Sequence, residues 1–389
     1  MNIGLDKIGF YTPKQYIDMN TLGEAREVDP NKYIKGLGQE KMAVASEADD
    51  AVTMAAQAAL NILDEEDKEV IDMVLVGTES GVDNSKSIAV WVHELTGINS
   101  NARAVELKQA CYGTTAGLKM AVGHIMMNPD SKVLVVASDV ARYGVNTGGE
   151  PTQGAGAVAM LVSKDPSIAT INNDSATYTK SIPDFWRPVY SDYAMVDGKY
   201  SNEAYLEFLS EVWEQYKETS SLTTKDFKTL LFHTPFTRMG KKALYKLAEV
   251  EEENEIERFM NYHDASRYYN KKIGNIYTGS LYLSLISLLE QATDLEVGDR
   301  IGLYSYGSGA VGEFFSIELQ PNFRDALQID NHEEQLTNRQ ELNIEDYEDA
   351  INFSLPIDGS KYETVKKDVQ LGDVILDKVD EHIRYYKLA

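Results

Sequence analysis

Lys132-Val-Leu-Val-Val-Ala-Ser138 decides the fold. Its side chains are apolar at consecutive positions rather than at alternate ones, and two-fold periodicity would put them on both faces of a strand. A strand apolar on both faces belongs to a sheet covered by helices on both sides. Working outward, Asp72-Met-Val-Leu-Val-Gly77 and Gly156-Ala-Val-Ala-Met-Leu-Val162 read the same way, and Ala102–Leu107 alternates as a further strand. Ala51–Leu63 and Ser85–Leu95 carry apolar residues at helical spacing. Tyr112–Met127 is rich in Ala, Gly, Met and Leu on every side and reads as a buried helix. Strands alternating with helices predict an α/β fold, with a mostly parallel sheet and helices outside it.

The second half of the chain repeats the plan. Lys228-Thr-Leu-Leu-Phe-His233 and Arg300-Ile-Gly-Leu-Tyr-Ser-Tyr306 are buried strands, followed by Val311–Leu319. Arg238–Val250, Glu251–Tyr269 and Tyr277–Gln291 read as helices. The strand at 132–138 leads to Gly154-Ala-Gly-Ala157 and another strand; that at 300–306 leads to Gly307-Ser-Gly-Ala310 and another strand. One apolar strand ends beside Glu79 and another at His233. The pattern predicts an internal duplication, divided into residues 1–165 and 166–389, with chemistry at matching strand ends.

Composition bounds the function. The chain has 389 residues, 43% of them hydrophobic, and a formal net charge of -25. Such a surface repels nucleic acid and anionic membranes, so an anionic ligand needs a local basic pocket. No apolar run approaches the roughly 20 residues that span a bilayer, and Met1–Phe10 lacks the pattern of a signal peptide. The single cysteine, Cys111, excludes an internal disulfide and a thiolate metal cluster. A cytoplasmic location is expected.

Cys111 sits in Gln109-Ala-Cys-Tyr-Gly-Thr-Thr-Ala-Gly117, after a strand and before the buried helix. There the helix dipole is expected to lower its pKa and make it a nucleophile; the alternative is a small buried hydrophobe. Among six histidines, only His233 ends an apolar strand and enters a proline-closed turn. It is either an acid–base group or a hydrogen-bonded core residue. Glu79, in Val76-Gly-Thr-Glu-Ser80, is either a partly desolvated base or an acid at a helix start. Arg238, Lys241 and Lys242 form a basic cluster suited to phosphates, or else a solvated helix face. The acidic stretch from Asp330 to Glu348 reads as a solvated helical surface.

At these residues the chain resembles the bacterial-type 3-hydroxy-3-methylglutaryl-CoA synthase family, over nearly the whole length to Leu319 and more weakly beyond. The segments that carry the resemblance are Ala110-Cys-Tyr-Gly113, Gly148-Gly-Glu-Pro-Thr-Gln-Gly-Ala-Gly-Ala157, Asp184-Phe-Trp-Arg-Pro188, Phe232-His233, Gly274-Asn-Ile-Tyr-Thr-Gly-Ser280 and Ser305-Tyr-Gly-Ser-Gly309. The resemblance implies a thiolase-like, duplicated αβαβα layered fold, a homodimer, and acetyl-CoA and acetoacetyl-CoA as substrates, with no cofactor or metal. It implies that Cys111 carries the acetyl group, that Glu79 is the general acid/base and that His233 assists at the second substrate. By the same match Asn275 and Ser308 lie at the acyl site, Thr152 and Ser201 near bound substrate, and Asp184 near the acetyl site. Lys242 falls on a CoA-phosphate contact, and Arg238 stands where many relatives have lysine, a change that alters contact geometry.

The implied reaction is acylation of Cys111, enolate formation by Glu79, attack on the acetoacetyl ketone with His233 at the alkoxide, and hydrolysis. A type III ketoacyl synthase shares the Cys, His and Asn set, but obtains its carbanion by decarboxylation and needs no Glu79. A thiolase uses a second cysteine, which this chain does not have. A non-catalytic acidic binding protein would leave so complete a set of groups unused.

Overall fold

In a computed structural model, which describes residues 1–191 and 193–389, one large sheet organises the chain. Its strands run in the order Arg103–Leu107, Ile71–Gly77, Lys132–Ala141, Gly154–Lys164, Ile3–Tyr11, Ala169–Ile171, Val311–Leu319, Arg300–Gly307 and Thr229–Phe232. Ala176–Thr179 also pairs with 311–319. The sheet is mixed. Ladders are parallel at both ends, where 71–77 pairs with 103–107 and 132–141, and 229–232 pairs with 300–307. They are antiparallel through the middle, because 132–141 and 300–307 are each followed by a strand that doubles back on them. The expected duplication is visible in this order: 71–77, 132–141, 154–164 and 3–11 in one half correspond to 229–232, 300–307, 311–319 and 169–171 in the other.

Alternation along each strand sorts the core into layers. Leu75, Val133, Val135, Val158 and Met160 point to one cluster, together with Leu231, Leu303, Phe315 and Ile317 from the other half. The helices Gly113–Met127 and Ser280–Gln291 fill that space through Leu118, Ala121 and Ile125, and Leu281, Leu285 and Leu288. The intervening residues Val74, Val76, Leu134 and Val136 face the outer helices Ala51–Ile62 and Ile88–Thr96. Leu230, Phe232, Tyr304 and Phe314 face Gly198–Ser220 and Met239–Leu247. Two helices between two half-sheets, with helices outside each, give the five αβαβα layers.

Two expectations change. The helix expected over Glu251–Tyr269 is broken into Glu253–Met260 and His263–Ser266, followed by Asn270–Ile273. The Tyr269 N–H donates to Ser287 Oγ rather than continuing the helical ladder, and the Tyr269 hydroxyl donates to the buried Glu290. The acidic stretch is only partly solvated: its helices Ile329–Thr337 and Ile344–Asn352 bury His332, Tyr347 and Ile351. No helix among the described residues is long and apolar enough to cross a membrane.

Candidate active site

The turn that carries Cys111 lies between the edge strand 103–107 and the central helix that begins at Gly113. Ala110 has φ +43°, a left-handed conformation that costs a residue with a Cβ about 1 kcal/mol. The turn is held by bonds from Tyr112 N to Gln109 O (3.0 Å) and from Gln109 Nε2 to Ser308 O (3.1 Å). Gly307 makes this packing possible: a Cβ there would lie 2.5 Å from Gln109 O and 2.6 Å from Tyr112 N. The two halves therefore meet at the thiol.

Cys111 Sγ donates to Glu79 Oε1 at 3.1 Å. Burial pushes the thiol well above its ordinary value, and the Glu79 charge pushes it further. This corrects the expectation of a dipole-lowered thiol. The helix starts two residues later, so desolvation and a facing carboxylate outweigh the dipole. The Glu79 carboxyl is itself pushed up to about 8, by burial first and then by the charge of Asp139. The pair thus rests as a thiol hydrogen-bonded to a carboxyl of high proton affinity, close enough to exchange a proton.

Asp139 is a residue that sequence reasoning missed. It is fully buried at the end of the 132–141 strand. Its Oδ1 accepts from Thr78 Oγ1 (3.0 Å), Glu79 N (2.7 Å) and Ser80 Oγ (2.9 Å), and its Oδ2 from Thr278 Oγ1 (2.6 Å) and N (3.1 Å). One carboxylate fixes the Glu79 loop against a residue of the other half. Its signal in the sequence was a polar pair, Ser138-Asp139, closing an apolar strand as Glu79 closes its own. Arg187 covers the same loop by donating to Glu79 O.

His233 follows the strand Thr229–Phe232; its N–H donates to Tyr304 O and its carbonyl accepts from Tyr205 Oη at 2.8 Å. Burial lowers its imidazole to about 3, so the ring is neutral at ordinary pH. Asn275 follows Gly274, whose φ of +95° and 2.1 Å Cβ clearance from Gln153 O admit only glycine. The Asn275 Oδ1 accepts from Tyr277 N and Ser280 Oγ, while its buried Nδ2 has no hydrogen-bond partner among the described residues. Buried amides are rarely left so, and this one, beside the Tyr143 hydroxyl at the cavity wall, is placed to donate to a ligand.

Cys111, Thr152, Ser201, His233, Asn275 and Ser308 all line one cavity of about 610 Å³. Tyr143, Phe185, Phe236, Tyr277 and Tyr306, which the sequence did not single out, complete its walls. Glu79 meets the cavity through the Cys111 sulfur. Asp184 does not line it: the carboxylate is fully buried and accepts from Tyr306 Oη (2.8 Å), Gly309 N (2.8 Å) and Ser201 Oγ (3.4 Å). It braces the wall: its full burial keeps it from a ligand in the cavity, and its donors include the lining residues Tyr306 and Ser201. Lys242 lies outside the cavity, with Nζ 4.9 Å above the ring of the lining residue Phe236. Arg238, next in the chain to the lining residue Met239, opens on a separate depression with Lys35, Lys241, Asp264 and Arg267, and its Nη1 donates to Lys35 O. The arrangement suits acyl transfer: a thiol, a carboxyl able to take its proton, a neutral imidazole, and cations beyond the rim.

The family description "Hydroxymethylglutaryl-coenzyme A synthase N terminal" matches residues 1–167, and its C-terminal counterpart matches 170–261 and 253–388. The chain is 52% identical over 358 residues to a hydroxymethylglutaryl-CoA synthase of Enterococcus faecalis, covering 92% of this chain and 94% of the relative. It superposes with a TM-score of 0.96 and 43% identity on a crystal structure of an HMG-CoA synthase complexed with CoA, covering all of both chains. A second structure, in complex with 3-hydroxy-3-methylglutaryl coenzyme A, superposes with a TM-score of 0.92 at 34% identity, over 100% of this chain and 99% of that one. With its sheet order, thiol–carboxyl pair and cavity in place, the chain belongs to the hydroxymethylglutaryl-CoA synthase family.

Proposed function

We propose that the chain condenses acetyl-CoA with acetoacetyl-CoA and water to 3-hydroxy-3-methylglutaryl-CoA and CoA, a step of the mevalonate route to isoprenoid precursors, through an acetyl group carried on Cys111. The observation that carries this reading is the 3.1 Å contact of Cys111 Sγ with a Glu79 carboxyl of raised pKa at the wall of the cavity.

The thiol proton passes toward Glu79 as sulfur attacks the acetyl carbonyl. The bond to the CoA sulfur breaks, and CoA leaves as the thiol with that proton. Glu79, ionised again, removes a methyl proton from acetyl-Cys111. Charge develops on the thioester oxygen, where the buried Asn275 Nδ2 at the cavity wall is the supporting donor. The enolate carbon attacks the ketone carbon of acetoacetyl-CoA. The pair displaced onto oxygen is stabilised by a hydrogen bond from His233, which acts as a neutral donor. The proton held by Glu79 is available to the alkoxide. Water then cleaves the enzyme thioester and regenerates the Cys111 thiol.

The cations Lys242 and Arg238 suit the CoA phosphates, with Thr152, Ser201 and Ser308 along the acyl path and Asp184 bracing them. The repeated strand order supports a division into halves at 165/166. The homodimer reading rests on the edge strand 103–107, where Val105 is exposed, and on Met120, Met126 and Met127, exposed on the adjoining helix. A cytoplasmic location suits CoA substrates and a free thiol. The test is product analysis: one HMG-CoA and one CoA for each acetyl-CoA and acetoacetyl-CoA consumed. Acylation without condensation on acetoacetyl-CoA, but with turnover of a malonyl thioester, would instead mark a ketoacyl synthase.

A further inference from the structure

The wall formed by residues 142–153, between the strands 132–141 and 154–164, brings Tyr143, Thr147, Gly148, Gly149 and Thr152 to the cavity. It has little regular structure, only the short turn Glu150–Thr152, so its shape depends on side chains beneath it. Two of these are buried. Gln153 Oε1 accepts from the backbone N–H groups of Tyr143 (2.6 Å) and Gly144 (3.0 Å). Glu150 Oε2 accepts from Asn146 N at 2.9 Å.

Both anchors are themselves held from outside the wall. The Tyr347 hydroxyl, buried on the helix Ile344–Asn352, donates to Glu150 Oε1 (3.1 Å) and accepts from Gln153 Nε2 (3.2 Å). Arg26 reaches both Glu150 oxygens, with Nε at 2.9 Å and Nη2 at 2.8 Å, and pairs through Nη1 with Glu348 Oε1 at 2.6 Å. Neither Tyr347 nor Arg26 lines the cavity. The Glu150 carboxylate is 2% exposed, and its cost of burial is met by a guanidinium fork and a phenol aimed at it from two other elements.

We infer that Tyr347 and Arg26 are positioning residues for the condensation: acting through Glu150 and Gln153, they set the shape of the wall against which the second thioester is aligned with acetyl-Cys111. The acidic segment at 330–348 thereby acquires a role in the site. This rests on the proposed function, but it can fail independently of it.

The experiment is steady-state kinetics of Tyr347→Phe and Arg26→Lys, each beside its melting temperature. Tyr347→Phe keeps the ring and removes both hydrogen bonds. Arg26→Lys keeps the charge and loses the fork. Each should lower kcat roughly fivefold to tenfold, as expected for a modest misalignment of reacting atoms, with KM for acetyl-CoA within about twofold of wild type. The double variant should lose less than the product of the two, because both act through Glu150. Ile351→Val, on the same helix and in its apolar contact, is the control for simple destabilisation. Wild-type kcat in Tyr347→Phe, or an equal loss of kcat in Ile351→Val, overturns the inference. A wild-type enzyme that is not acetylated by acetyl-CoA would sink the proposed function instead.

Discussion

Asp139 Oδ1 accepts the backbone N–H of Glu79 at 2.7 Å, so one buried carboxylate fixes the place of another and raises its proton affinity. Replacing Asp139 by Asn removes the charge and keeps the size. The Glu79 carboxyl then titrates lower than its present value of about 8, though burial still holds it above an ordinary carboxylate. With Glu79 as the proposed base, condensation draws on its ionised form, so the rising limb of the pH–rate profile should move to lower pH in Asp139→Asn. An unmoved or upward-moved limb would contradict this electrostatic link.

Removing Glu79 should have opposite effects on the thiol and on turnover. In Glu79→Ala the Cys111 thiol loses the charge that helps hold its pKa up. Alkylation by iodoacetamide should therefore reach half its maximal rate at a lower pH than in the wild type. Acetylation should slow yet still go to completion, because the lower thiol pKa offsets the lost proton acceptor, while condensation falls about 10²- to 10⁴-fold, the usual worth of one proton-transfer group. Normal condensation in this variant would end the assignment of Glu79 as base.

His233 should leave its mark on stability rather than on the pH–rate profile. Its pKa is about 3 in the fold, against 6.5 for the ordinary group, because burial disfavours the cation. Its contribution is fully present above pH 6.5 and is lost as pH falls toward 3, because only the unfolded chain takes up the proton. Between pH 7 and 5 that loss is about 2 kcal/mol. Urea unfolding at the two pH values, for wild type and His233→Gln, should show the extra sensitivity only in the wild type. The kinetic profile from pH 5 to 9 should carry no inflection from this ring.

The cations beyond the rim should matter for binding and little for chemistry. Lys242→Ala and Arg238→Ala should each raise KM for the CoA thioesters about tenfold, the scale of one lost charge-assisted hydrogen bond. Their kcat should stay near wild type, and the wild-type KM should rise with added salt. A drop in kcat with unchanged KM would move these residues out of the CoA path.

The edge strand gives a separate test. Val105 is 45% exposed and Met120 53%, on neighbouring elements. Val105→Glu with Met120→Glu should convert a dimer of this chain into monomers by light scattering, while circular dichroism stays native. A wild type that is already monomeric would remove the homodimer from the proposal.

The strands around 72–77, 132–138, 156–162 and 300–306 were legible because each is largely apolar on both faces, a pattern few other structures tolerate. Cys111, Glu79 and His233 were legible as polar residues next to such strands. Asp139 and Tyr143 were harder to see, since their importance lies in contacts to residues far along the chain, Thr278 for the one and Tyr277 for the other. The direction of the Cys111 shift was misread because a helix dipole can be inferred from sequence, whereas a facing carboxylate and burial cannot. The break at 261–269 was hidden because Tyr269 is held by Ser287 and Glu290, partners that helical periodicity does not reveal.

The central claim is that Cys111 carries the acetyl group made into an enolate by Glu79. Intact-mass measurement after mixing with acetyl-CoA tests it most directly. The wild type should gain one acetyl group and lose it on addition of acetoacetyl-CoA; Cys111→Ala should gain none. A wild type that stays unmodified, or a Cys111→Ala protein that is acetylated and still condenses, would contradict the account.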